Sequence, residues 1–176
     1  MADLTPLLAF RWSPRAFDPD AELSPDEAAS LLEAARWAPS AENGQPWRFA
    51  LGHRDDETWK RILINLPGRD QGWARHAATL VVGAHTGGDA ERAAYDLGQA
   101  IAHLTVQATA LGLHVRQLTC FDRAGLATEL DLPGGIRPLV VAAVGRLGDP
   151  FTLPAELRDR ETGLRHRRPV AELLLA

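Results

Sequence analysis

Cysteine is almost missing. Cys120 stands alone in 176 residues, so an intrachain disulfide, a zinc ribbon and a two-cysteine redox motif are all excluded. A single thiol fits a reducing compartment, and with no base known to lie beside it Cys120 reads as a small buried hydrophobe. Lysine is equally scarce: Lys60 is the only one among 19 basic residues, so arginine clusters carry less weight here than elsewhere. No apolar run approaches the ~18 residues of a membrane span, and the opening Met1-Ala2-Asp3-Leu4-Thr5-Pro6 lacks the basic and apolar regions of a secretory signal. A cytoplasmic protein is the expectation. The formal net charge of -4 gives no general attraction to nucleic acid or an anionic membrane. G-x-G-x-x-G after a strand, G-x-x-x-x-G-K-[ST] and G-x-S-x-G are all wanting, which removes the Rossmann, P-loop and hydrolase readings. The six histidines show no i, i+4 pairing and no cysteine neighbour, so no metal site is expected and His103 reads as a packed helix residue.

What is present is an ordinary globular mixture, 45% hydrophobic and 24% charged, long enough for one domain over residues 1–176. Pro6 opens a short helix to about Phe10. Ser24-Pro25-Asp26-Glu27 combines an N-cap serine, a proline at N1 and a glutamate at N3, and the helix it starts runs to about Trp37 before Pro39. Trp47 to Leu51 reads as a strand, Asp56 to Leu63 as a weaker helix and 67–75 as a loop. Thr79 to Ala84 is an apolar, β-branched run suited to a central strand covered on both faces. A long helix is expected from Glu91 to Leu111 with Gly112 beyond its end. Its apolar stripe is so broad that burial nearly all round, and hence a subunit interface, is predicted. Val115 to Phe121 is a strand candidate, Asp122 caps a helix to about Leu130, and Leu139 to Val144 is a strand ending at Gly145. The tail from Phe151 carries prolines and arginines.

Two basic clusters remain, Arg11-Trp12-Ser13-Pro14-Arg15 and Arg165-His166-Arg167-Arg168. A guanidinium fork matches phosphate oxygens, so the clusters make an anion site if the two ends of the chain meet, and two solvated patches if they do not. Between them lies Ala38-Pro39-Ser40-Ala41-Glu42-Asn43-Gly44-Gln45-Pro46-Trp47, where a hydroxyl and two amides fall within six residues stiffened by prolines. Such a loop suits hydrogen bonding to a planar heterocycle, or simply joins a helix to a strand.

R-x-S-x-R followed some 25 residues later by A-P-S-A-x-N-x-Q-P-W resembles the nitroreductase family of FMN-dependent oxidoreductases. Tyr95 to Ile101, Ala110 to Leu113, Leu132 to Gly135 with Val140 to Gly145, and Arg165 to Pro169 are similar to that family's later landmarks, in the same order. The resemblance implies an α+β fold, a mixed sheet flanked by helices, in an intertwined homodimer with FMN at the interface. It implies that Arg11, Trp12, Ser13 and Arg15 bind the flavin, with Ser13 at the phosphate and Arg15 near the N1/O2 edge, where a fixed positive charge stabilises the reduced ring. Arg165 and Arg167 would close on the phosphate, and Pro39, Ser40, Asn43 and Gln45 would reach in from the partner subunit. Gln71 aligns with an amide touching the flavin, and the backbone N–H of Thr119 with a donor near N5. Cys120 stands where a glycine is common. The implied activity passes a hydride from NAD(P)H to the flavin and on to an electron-poor small molecule such as a nitroaromatic or quinone. Ene reduction, reductive dehalogenation, flavin fragmentation and flavin binding without turnover are the alternatives on the same fold. The segment from Leu51 to Glu91 leaves little room for an added lid helix, so an open site is expected.

Overall fold

Four strands form one sheet: β1 (Trp47–His53), β2 (Thr79–His85), β3 (His114–Leu118) and β4 (Arg137–Gly145), in the order β1-β2-β4-β3. The computed structural model describes residues 3–175; Met1, Ala2 and Ala176, the ends of the expected domain, lie outside the described residues. Around the sheet are α1 (Pro6–Ala9), α2 (Pro25–Arg36), α3 (Glu57–Ile64), α4 (Gly68–Ala74), α5 (Ala90–Ala110), α6 (Arg123–Glu129) and α7 (Ala155–Thr162). The α+β class is as expected. In place of the expected mixed sheet, every pairing among the described residues is antiparallel. β2 and β3 do run the same way, but β4 lies between them, so their parallel relation never becomes a hydrogen-bonded pair.

Strand alternation divides the core into two layers. Val140, Ala142 and Val144 point towards α2 and α5, where they meet Leu31, Leu97, Ile101 and Leu104. Val141 and Ala143 point the other way, onto Trp59, Ile62, Trp73 and Leu126 from α3, α4 and α6. β2 is buried along its whole length, as its continuous apolar run predicts. The capping box of α2 is formed in full: Ser24 Oγ accepts from Glu27 N at 3.2 Å and Ser24 N donates to Glu27 Oε2 at 2.9 Å. α5 ends where Gly112 turns left-handed at φ 69° and Leu113 N donates back to Ala108 O at 2.8 Å.

Three expectations need correction. Residues 67–75 are largely helix, not loop: Pro67 leads into α4, whose Trp73 and Ala74 are buried. Gly68 and Gly72 hide the pattern, although open space surrounds both. α5 is not covered all round within one chain, since Tyr95, Gly98, Ala102 and Ala110 are exposed. His103 is exposed as well rather than packed. Alanine is a weak reporter of burial, and the breadth of the α5 stripe comes mainly from alanine.

The N-terminal segment is tied down beside the exit of β4. Asp18 N donates to Arg146 O at 3.0 Å, Gly148 N donates to Ala16 O at 2.9 Å, and Phe17 stacks on Trp73 with ring centroids 6.2 Å apart. A Cβ at Gly148 would lie 2.5 Å from the Phe17 carbonyl, so only glycine allows this approach. Arg54 fastens the next stretch by donating to the carbonyls of Pro19, Ala21, His76 and Ala77. No helix among the described residues is long and apolar enough to cross a membrane.

Candidate functional site

Residues 11–16 have no regular structure and are shaped by side chains from three directions. Arg116, on β3, donates to Ser13 O at 2.9 Å. Glu161, on α7, accepts from Arg15 N at 2.7 Å and Ala16 N at 3.1 Å. Arg165 donates to the carbonyls of Ala9 and Arg11 and lies over the Trp12 ring, 5.4 Å from its centroid. The two basic clusters therefore meet. Burial lowers the Arg11 pKa, and the neighbouring charges of Arg165 and Arg167 lower it further. None of the three guanidinium groups has a carboxylate within 4.0 Å among the described residues. Three uncompensated cations drawn together this way suit an anion with several acceptor oxygens.

Beside this cluster opens a cavity of about 660 Å³, walled by Arg69 and Asp70 of α4, Arg116 to Cys120 at the end of β3, Arg15, and Glu156, Leu157 and Arg160 of α7. Its volume falls within the range usual for small-molecule sites. Thr119 lies just past Leu118, the last residue of β3 in register with β4, so the backbone leaves the ladder at the cavity wall. Cys120 is exposed and lines the same wall, which overturns its reading as a buried hydrophobe. Burial lowers the Arg116 pKa and so does Arg15, while Glu161 and Asp70 act in the opposite sense. Arg116 stays charged, with its guanidinium over the Trp73 ring at 5.5 Å.

The polar loop stands elsewhere. Asp96 of α5, itself buried, accepts from Ala41 N at 3.3 and 3.2 Å. Ser40 Oγ accepts from Gln45 N at 3.1 Å, and Gln45 Nε2 donates to Asn43 O at 3.1 Å. Glu42, Asn43 and Gln45 all take positive φ, at 54, 56 and 47°, a concentration of strain in three non-glycine residues. Pro39, Asn43 and Gln45 are exposed and Ser40 is half-buried. The loop precedes β1, at the opposite edge of the sheet from β3, and contributes nothing to the cavity wall of its own chain. Gln71 sits on α4 behind Arg69 and Asp70, with its amide donating to the carbonyls of Ile64 and Leu66.

The fold brings Arg11 and Trp12 together with Arg165 and Arg167, places Thr119 on the cavity wall that Arg15 shares, and adds Arg69, Arg116, Arg160 and Glu161, which the sequence did not single out. The signal for Arg116 was available: it shares a strand face with Leu118, which is buried in the core layer around Trp73. Among the described residues no group of three or more His, Cys, Asp or Glu is placed to hold a metal ion.

The profile of the nitroreductase family matches residues 8–63 and 50–146, which contain the R-x-S-x-R segment, the polar loop and all four strands. This chain belongs to the nitroreductase family. A solved oxidoreductase containing FMN superimposes with a TM-score of 0.90 at 33% identity, covering 99% of this chain and 91% of that one. An uncharacterised 15.4 kDa protein of Mycolicibacterium smegmatis is 34% identical over 132 residues, 68% of this chain and 88% of its own length. The oxygen-insensitive NAD(P)H nitroreductase of Salmonella typhimurium is 32% identical over 54 residues, 31% of this chain and 25% of that protein. The family and these relatives support an oxidoreductase.

Proposed function

We propose that the protein, a single domain over residues 1–176 in the cytoplasm, binds FMN and works as an NAD(P)H-dependent reductase of electron-poor small molecules. The observation carrying this reading is the meeting of Arg11, Arg165 and Arg167 beside a cavity walled by Arg15 and the end of β3. The donor set fits FMN: three guanidinium groups without carboxylate partners for a phosphate dianion, and a separate arginine for a ring that gains negative charge. Arg11, Ser13, Arg165 and Arg167 hold the phosphate, with Trp12 supporting Arg165 through its ring face. Arg15 stabilises charge at the N1/O2 edge, and its backbone is fixed by Glu161. The Thr119 N–H serves the N5 side, and Gln71, its Nε2 held by the carbonyls of Ile64 and Leu66, contacts the flavin from α4.

FMN, when bound, supplies a two-electron carrier, so that NAD(P)H leaves as NAD(P)⁺ and a quinone taking a hydride and a proton leaves as its hydroquinone. Pro39, Ser40, Asn43 and Gln45, turned away from their own cavity, complete the site of a second copy across the exposed face of α5. The remote position of this loop supports a homodimer. The test is the visible spectrum of purified protein with and without FMN, followed by anaerobic NADPH or NADH. Flavin bands near ~450 nm that bleach on addition support the reductase. Bands that persist point to flavin binding without nicotinamide turnover, and failure to take up FMN overturns the proposal.

A further inference from the structure

The cavity lining includes four arginines, Arg15, Arg69, Arg116 and Arg160, and two acidic residues, Asp70 and Glu156, a net excess of two positive charges. Arg116 is occupied with Ser13 O and the Trp73 ring, and Arg15 belongs to the flavin edge. Arg69 and Arg160 remain. They stand on separate walls, α4 and α7, and both are exposed. The Arg69 Nε lies 3.7 Å from Asp70 Oδ2, but Asp70 also accepts from Trp73 Nε1 at 3.0 Å and so offers only part of its charge. Arg160 has no carboxylate within 4.0 Å among the described residues.

Resting on the flavin reading, we propose that the acceptor is itself an anion, an aromatic or quinonoid compound bearing a carboxylate that Arg69 and Arg160 receive from either side. A neutral acceptor leaves Arg160 with no anionic partner within 4.0 Å among the described residues and Arg69 with only the shared carboxylate of Asp70. A carboxylate offers a guanidinium fork two acceptor oxygens and a full negative charge.

Benzoate and benzamide, equal in shape and inert to reduction, test this by isothermal titration into the FMN-loaded protein. Benzoate is expected to bind about tenfold more tightly than benzamide, with each of R69Q and R160Q lowering its affinity about threefold and the double variant about tenfold. Benzamide affinity stays constant across the series, and added salt shrinks the benzoate advantage. Equal affinity for the pair, or an undiminished preference for benzoate in a double variant with native circular dichroism and full FMN content, overturns the anionic acceptor and leaves the reductase standing. A protein that takes up no FMN overturns the reductase and this inference with it.

Discussion

Arg15 and Arg116 are neighbours of like charge with different work. Arg15 contributes to the cavity through its side chain while Glu161 holds its backbone, so Arg15→Ala leaves the fold intact and weakens flavin retention or reduction about tenfold or more. Flavin titration and stopped-flow reduction beside a thermal melt check this, and unchanged flavin affinity and kinetics sink the role. Arg116 is half-buried and holds Ser13 O, so Arg116→Met is expected to destabilise by about 1–3 kcal/mol and to loosen the flavin together with the fold. Histidine sets a pH dependence. Burial lowers the His85 and His114 pKa values from 6.5, and the charges of Arg137 and Arg123 lower that of His85 further. The unfolded chain therefore takes up protons first as pH falls. Stability is fully present above about pH 6.5 and declines below it until the folded-state values are passed. Denaturant melts across pH 5–8 should show this slope, flatter in His85→Gln; a stability independent of pH in that window contradicts it.

At the level of elements, Asp96 decides how α5 holds the polar loop. Its carboxylate receives Ala41 N–H in a buried setting, so Asp96→Ala is expected to cost about 1–3 kcal/mol and to release residues 39–46 from their strained backbone. Proteolytic nicking of the loop and a rise in the FMN dissociation constant are the measurements; a loop as resistant as in the parent protein argues against the anchor. The sequence made most elements legible because their signals were local. Ser24 with Glu27 announced α2, and the unbroken run at 79–84 announced a strand covered on both faces. α4 was hidden by Gly68 and Gly72, since its helicity rests on burying Trp73 and Ala74 against the sheet, a tertiary cause that propensity does not see. The site divides in the same way. The R-x-S-x-R segment and the tail could be read from residue type, whereas Arg69, Arg160 and Glu161 enter through the packing of α4 and α7.

The exposed strip of α5, with Tyr95, Gly98 and Ala102 on it, is the surface on which the proposed dimer depends. Gly98→Arg places a charge where no atom of the same chain lies near the new Cβ, so the isolated fold should tolerate it. Sedimentation should then show a smaller particle than the parent, with FMN lost in proportion if the site needs loop residues from a second copy. A parent protein already monomeric, or a variant that stays dimeric with full flavin content, removes the shared site.

The turn that strains Asn43 also governs how the molecule ages. Asn43 is followed by Gly44 on an exposed loop, the pair most prone to spontaneous deamidation, in which the glycine nitrogen attacks the asparagine side-chain carbonyl. Here Gly44 N donates to Ala41 O at 2.9 Å, and the reactive nitrogen is held in a hydrogen bond away from that attack. Slow succinimide chemistry on storage, quickened by Asp96→Ala and read by peptide mass mapping, follows from the same bond. Its consequence is a chemical shelf life set by the folding of one turn.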